Sequence, residues 1–124
     1  MGGLKSEERR IGTRYAVHLP VRVEWDDESV GGQVRVEGET QNVGPKGALV
    51  YLRRLPQVGS RVRLAVLEDD ATRFEAVAEV LRLERDPAQP LAALRLLDAE
   101  REWGEMVWEW AAQLERQAED EETE

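Results

Sequence analysis

The chain has 124 residues, room for one domain, with 41% hydrophobic and 35% charged residues. It has no cysteine, which excludes disulfides, a thiolate nucleophile and a cysteine-based zinc site. No apolar run approaches the roughly 20 residues of a membrane helix, and Met1 to Ser6 lacks the apolar stretch of a secretory signal, so the expectation is a soluble cytoplasmic protein with no membrane insertion.

The net charge of −9 is unevenly placed. From Asp98 onward there are 11 acidic residues against two basic ones, Arg101 and Arg116, which accounts for all of it; the preceding body is neutral. Within that body, Lys5, Arg9, Arg10 and Arg14 cluster against Glu7 and Glu8. A local basic cluster on a neutral body suits a small anionic ligand better than an extended phosphate backbone, which calls for a broad basic face.

Residues 1–14 have no apolar periodicity and read as a flexible arm. Val17, Leu19, Val21, Val23 and Trp25 then alternate with His18, Pro20, Arg22 and Glu24, the period of a half-buried strand with an edge or bulge at Pro20. Val34 and Val36 begin a second strand that continues irregularly towards Val43. Asn42-Val43-Gly44-Pro45-Lys46-Gly47 reads as a loop. Ala48 to Leu52 make a third strand, and Val62, Leu64 and Val66 mark a fourth. Phe74, Ala76, Ala78 and Val80 mark a fifth, whose apolar phase slips to Leu81 and Leu83 at a bulge. Leu91 to Leu97 make the sixth. Six short strands with tight turns predict an all-β domain over residues 15–97. A closed antiparallel barrel is favoured over a sandwich because closure removes exposed edges.

After Leu97 the period becomes helical. Asp98 is placed as the N-cap, with Glu100 and Glu102 at the positive end of the helix dipole. Trp103, Met106, Val107, Trp110, Ala111, Leu114 and Ala118 share one face of an amphipathic helix over 98–118, and Trp108 lies off it. Residues 119–124 read as an acidic disordered tail.

Two short motifs flank the first part of the barrel. Arg10-Ile11-Gly12-Thr13-Arg14 is an RxxxR preceded by Arg9, and Asn42-Val43-Gly44-Pro45-Lys46-Gly47 compares with Asp or Asn, any residue, Ser, two of any, Gly. Together, with strands between them and a helix at the end, they resemble the PilZ family of cyclic di-GMP receptors over roughly residues 9–116. The resemblance implies a six-stranded PilZ-type barrel with a C-terminal α-helix, and cyclic di-GMP as ligand with no further cofactor. Arg9, Arg10, Arg14, Asn42, Gly44 and Gly47 would be the ligand-binding residues.

The chemistry fits that ligand. Arginine presents a planar, permanently charged fork that pairs with phosphate oxygens or with guanine O6 and N7. By resemblance, Asn42 supplies side-chain groups to a guanine, and Gly47 an unusual backbone angle and room for the ligand. Gly44 stands where the family has Ser. The missing hydroxyl removes a hydrogen bond worth about 0.5–1.5 kcal/mol, and glycine leaves a more mobile loop. An arm that folds over an anion would serve as a disorder-to-order switch.

No catalytic or metal role emerges. His18 stands alone on a polar strand face, no phosphate loop of the P-loop type is present, and many carboxylates belong to the helix and tail. The leading expectation is a non-enzymatic cyclic di-GMP receptor, monomeric or homodimeric, with a protein partner on the tryptophan-rich helix. A PilZ-like domain that has lost the nucleotide and acts as an adaptor is the alternative, favoured by Gly44. A nucleic-acid-binding barrel is weakest, because few aromatics outside the tryptophans offer base stacking and the C-terminal end is acidic, so no DNA or RNA partner is expected.

Overall fold

The computed structural model describes residues 13–122, the last two by backbone alone. Six strands form one closed, wholly antiparallel barrel: β1 (Pro20–Asp27), β2 (Gly32–Gly44), β3 (Gly47–Leu52), β4 (Arg61–Glu68), β5 (Ala71–Glu84) and β6 (Leu91–Leu96). The order around it is β1-β2-β3-β6-β5-β4, with β1 hydrogen-bonded to β4 to close the ring. The alternation read from the sequence is the alternation of the wall. Val21, Val23, Trp25, Val50, Leu52, Leu64, Val66, Ala78, Val80, Leu94 and Leu96 are all buried inside. The phase slip after Val80 is a true β-bulge, with Val80 paired to Leu94 and Arg82 to Ala93.

Two expectations about the first half change. Residues 17–19 do not extend β1. Pro20, which lacks a donor, opens the strand. The stretch before it is held by Thr40, the buried polar residue among those described, at 0% exposure. Its hydroxyl donates to the Val17 carbonyl at 2.6 Å and accepts from the Leu19 amide at 2.8 Å. Two backbone groups that the interrupted ladder would leave unpaired inside the protein are satisfied by one side chain. Asn42 to Gly47, expected as a loop, is the tip of the β2–β3 hairpin: Asn42 pairs with Leu49, Val43 with Ala48 and Gly44 with Gly47, leaving Pro45 and Lys46 as a two-residue turn. The ladder reaches this far because a bulge at Gln41 restores the phase that puts Val43 inside.

The C-terminal helix is α-helical over Glu100–Trp103, π-helical over Gly104–Trp108 and α-helical again over Glu109–Glu122. Its N-cap is Ala99, in the left-handed region at φ 54°, and no side chain caps it. Asp98 is occupied elsewhere: its Oδ1 accepts from the Val77 amide at 2.9 Å, tying the chain to β5 where β6 ends. Helical backbone continues through residues 119–122, where the sequence predicts an acidic tail. The run from Leu114 to Ala118 before it contains strong helix formers and no breaker. Residues 123–124 lie outside the described residues.

The π turn changes which side chains face the barrel. The Glu109 amide donates to the Gly104 carbonyl, five residues back. A uniform 3.6-residue period places Met106 inside and Trp108 outside. With the widened turn, Trp103, Val107 and Ala111 are fully buried, Met106 is 40% exposed, and Trp108 packs against the core. Trp103 stacks edge-on against Phe74 with ring centroids 5.6 Å apart. Arg73 of β5 pins the helix from outside, donating to the Met106 carbonyl at 2.8 Å with its guanidinium 4.0 Å from the Trp110 ring centroid.

Candidate functional site

Arg14 and Asn42 come from different motifs, 28 residues apart, and meet at the hairpin tip. The Arg14 Nε–H donates to Asn42 Oδ1 at 2.6 Å. The backbone just after Arg14 is fixed by an isolated bridge between Tyr15 and Val43, with both amide-to-carbonyl bonds at 2.8 Å. This bridge holds the root of the arginine arm against β2, so the RxxxR motif starts from a rigid point. Arg9 and Arg10 lie outside the described residues.

Gly44 sits directly beneath the Arg14 guanidinium. A β-carbon at position 44 would fall 2.9 Å from Arg14 Cζ and closer still to Nη1. The glycine therefore does more than omit a hydroxyl, because Arg14 lies in the space that a serine side chain needs. Its place in a β ladder also means that it does not loosen a loop. Gly47 has ordinary backbone angles, since the left-handed glycines among the described residues are Gly31 and Gly59. The expected unusual angle at Gly47 is absent, and a different constraint stands in its place. A β-carbon there would collide with the Leu94 backbone carbonyl of β6, so Gly47 is needed for β3 and β6 to approach.

Two tryptophans tie this corner to the C-terminal helix, a link that helical periodicity alone does not reveal. The fully buried Trp103 donates its indole N–H to the Gly44 carbonyl at 2.8 Å. Trp108 donates to the Thr13 carbonyl at 3.0 Å and packs against Tyr15, ring centroids 5.9 Å apart. Glu115 adds a third tie, its carboxylate accepting from the Ala16 amide at 3.1 Å. Both motifs thus rest on one helix, and one of its acidic residues has a structural role.

Arg14 is exposed as a residue, yet desolvation of its guanidinium, followed by the positive charge of Arg82, pulls its pKa below the ordinary arginine value. Arginine remains protonated at any physiological pH, so the consequence is energetic: the site holds cations that gain from an incoming anion. Among the described residues no group of carboxylates, imidazoles or thiols could hold a metal ion, and no helix is long and apolar enough to cross a membrane.

The PilZ domain family model matches residues 6–110. The chain belongs to the PilZ domain family. Its barrel is similar to that of the Bacillus subtilis inhibitor of motility MotI/DgrA, with TM-score 0.62 and 23% identity over 90% of this chain and 52% of that one. It is also similar to Escherichia coli YcgR in complex with c-di-GMP, with TM-score 0.66 and 17% identity over 93% of this chain and 50% of that one. The isolated PilZ domain of YcgR with c-di-GMP gives TM-score 0.64 and 16% identity over 94% of this chain and 98% of that one. This PilZ chain spans about half the length of the first two proteins. A search of curated proteins finds no match.

Proposed function

We propose that this PilZ domain is a non-enzymatic receptor for cyclic di-GMP, with Arg9, Arg10, Arg14, Asn42 and Gly44 contributing to the site and Gly47 shaping the hairpin that carries it. The observation that carries this reading is the contact between Arg14 and Asn42. The two motifs, unrelated along the chain, converge on one exposed corner with a permanent cation beside an amide. A phosphate can displace the amide oxygen from the guanidinium, since a charge-assisted bond to an anion is roughly twice as strong as one between neutral partners. The released Asn42 amide then faces a base edge. Because Thr13 and Gly44 are hydrogen-bonded to Trp108 and Trp103, a ligand that engages both motifs would alter the seat of the helix and so the surface offered to a protein partner.

A second reading, a PilZ domain that has lost the nucleotide and works as an adaptor through its helix, is favoured by Gly44 and by the Arg14 side chain lying over it. Isothermal titration calorimetry with cyclic di-GMP separates the two. Saturable heat for the parent, lost in Arg14→Ala, is the expected outcome. Absence of heat at high micromolar ligand would overturn the receptor reading and leave the adaptor.

A further inference from the structure

The strand register extends the site beyond the two motifs. Asn42 pairs with Leu49 across β2 and β3, Leu49 with Ala93 across β3 and β6, and Ala93 with Arg82 across β6 and β5. These four residues form one row across four strands. They point outward, because the adjacent row of Val43, Ala48, Leu94 and Val80 is buried inside the barrel. With neighbouring strands about 4.8 Å apart the row is about 14 Å long. Arg14 stands at one end on Asn42, and Arg82 stands at the other.

Arg82 reaches the outer face because of the bulge. Val80 points inward and the ladder skips Leu81, so Arg82 takes the outward place and Leu83 returns to the core side. Without the extra residue, strict alternation would turn Arg82 into the barrel. Between the two arginines the surface is low and apolar: Leu49 and Ala93 are half-buried, and Gly47 adds no side chain. Among the described residues, the ion-pair partner of Arg82 is a loose one, Glu84 at 3.6 Å, beyond hydrogen-bond reach, with both side chains substantially exposed. Arg95, two pairs along on the same outer face, is held by Glu79 at 2.9 Å and is already paired. The charge of Arg82 is also felt at the Arg14 guanidinium.

We propose that Arg82 is a second anchoring cation of the nucleotide site, closing the far side of the floor formed by Leu49 and Ala93. This rests on the cyclic di-GMP reading above. A floor of apolar side chains accepts the flat face of a purine, and a cation at each end matches an anion that carries two phosphates.

The test is calorimetric titration of cyclic di-GMP into the parent chain, Arg82→Gln and Arg35→Gln. Arg35 is an exposed arginine seven residues before Asn42 on β2, paired with Glu24 at 2.9 Å. Both variants lose the same charge from an exposed side chain, and their thermal midpoints serve as a check on folding. Affinity should fall about tenfold or more in Arg82→Gln, the loss of one charged hydrogen bond, and stay within about twofold in Arg35→Gln. If the parent binds and Arg82→Gln binds equally well, Arg82 is no part of the site while the receptor reading stands. An equal loss in both variants reduces Arg82 to a general charge effect and overturns the proposal. A parent chain that gives no saturable heat removes both readings together.

Discussion

The indole N–H of Trp103 donates to the carbonyl of Gly44 across 59 residues of sequence, inside the protein and shielded from water. This single bond joins the second motif to the helix that closes the barrel. Its removal while an aromatic ring is kept isolates its contribution. Trp103→Phe should lower stability by about 1–3 kcal/mol, chiefly because the Gly44 carbonyl is left without its partner. Urea denaturation should show a lower midpoint with an unchanged slope. A Trp103→Phe variant as stable as the parent would mean that packing alone seats the helix.

The two motif glycines should respond unequally to a methyl group. In Gly44→Ala the new carbon meets the end of a flexible arginine side chain, which can swing away. The stability change should stay below about 1 kcal/mol, and the NMR signal of the Arg14 Nε–H should shift as its bond to Asn42 breaks. In Gly47→Ala the carbon meets the backbone of β6, and β3 must move, at a cost of about 1–3 kcal/mol or more. Equal effects in the two variants would refute the distinction.

Thr40→Val keeps the volume and removes the hydroxyl that serves both Val17 and Leu19. We expect a loss of about 2 kcal/mol or more, since two buried backbone groups lose their partner at once. Hydrogen exchange should report it locally, with the Leu19 amide losing protection ahead of amides in β5 and β6.

Asp27 caps the short 3₁₀ turn of Glu28–Val30. Its carboxylate accepts from the Ser29 hydroxyl at 2.6 Å and the Ser29 amide at 2.9 Å. The hydroxyl bond first, then the amide bond, hold its pKa below the usual aspartate value, with a smaller contribution from Arg54. The folded state therefore favours the charged form. The contribution is complete above the ordinary aspartate pKa and is lost as pH falls through the lowered value in the folded chain. An NMR titration of Asp27 should move upward in Ser29→Ala, toward the ordinary value. No movement would assign the shift to other causes.

Much of this molecule was legible in one dimension. Period-two alternation reports strands because a barrel wall has only an inside and an outside, and Val21, Val23, Leu64 and Ala78 lie where that rule puts them. The bulge after Val80 was visible as a phase slip, although its effect of turning Arg82 outward needed the register of β6. The hairpin at Asn42 to Gly47 read as a loop because Gly and Pro signal turns by composition. That Asn42, Val43 and Gly44 still pair with β3 depends on a partner strand and a bulge. The helix misled in phase, since a fixed 3.6-residue wheel has no means of anticipating a π turn, and so it exchanged the places of Met106 and Trp108.

The barrel, the closing helix and the presence of two motifs follow from local periodicity and residue chemistry, which are written along the chain. That Arg14 rests on Asn42 above Gly44, that Gly47 makes room for a neighbouring strand, and that Trp103 and Trp108 hold both motifs emerges only in the folded chain. Each of those is a contact between residues far apart along the chain. Its existence depends on the closure of the barrel and the seating of the helix, which set the distances that hydrogen bonds and steric contact require.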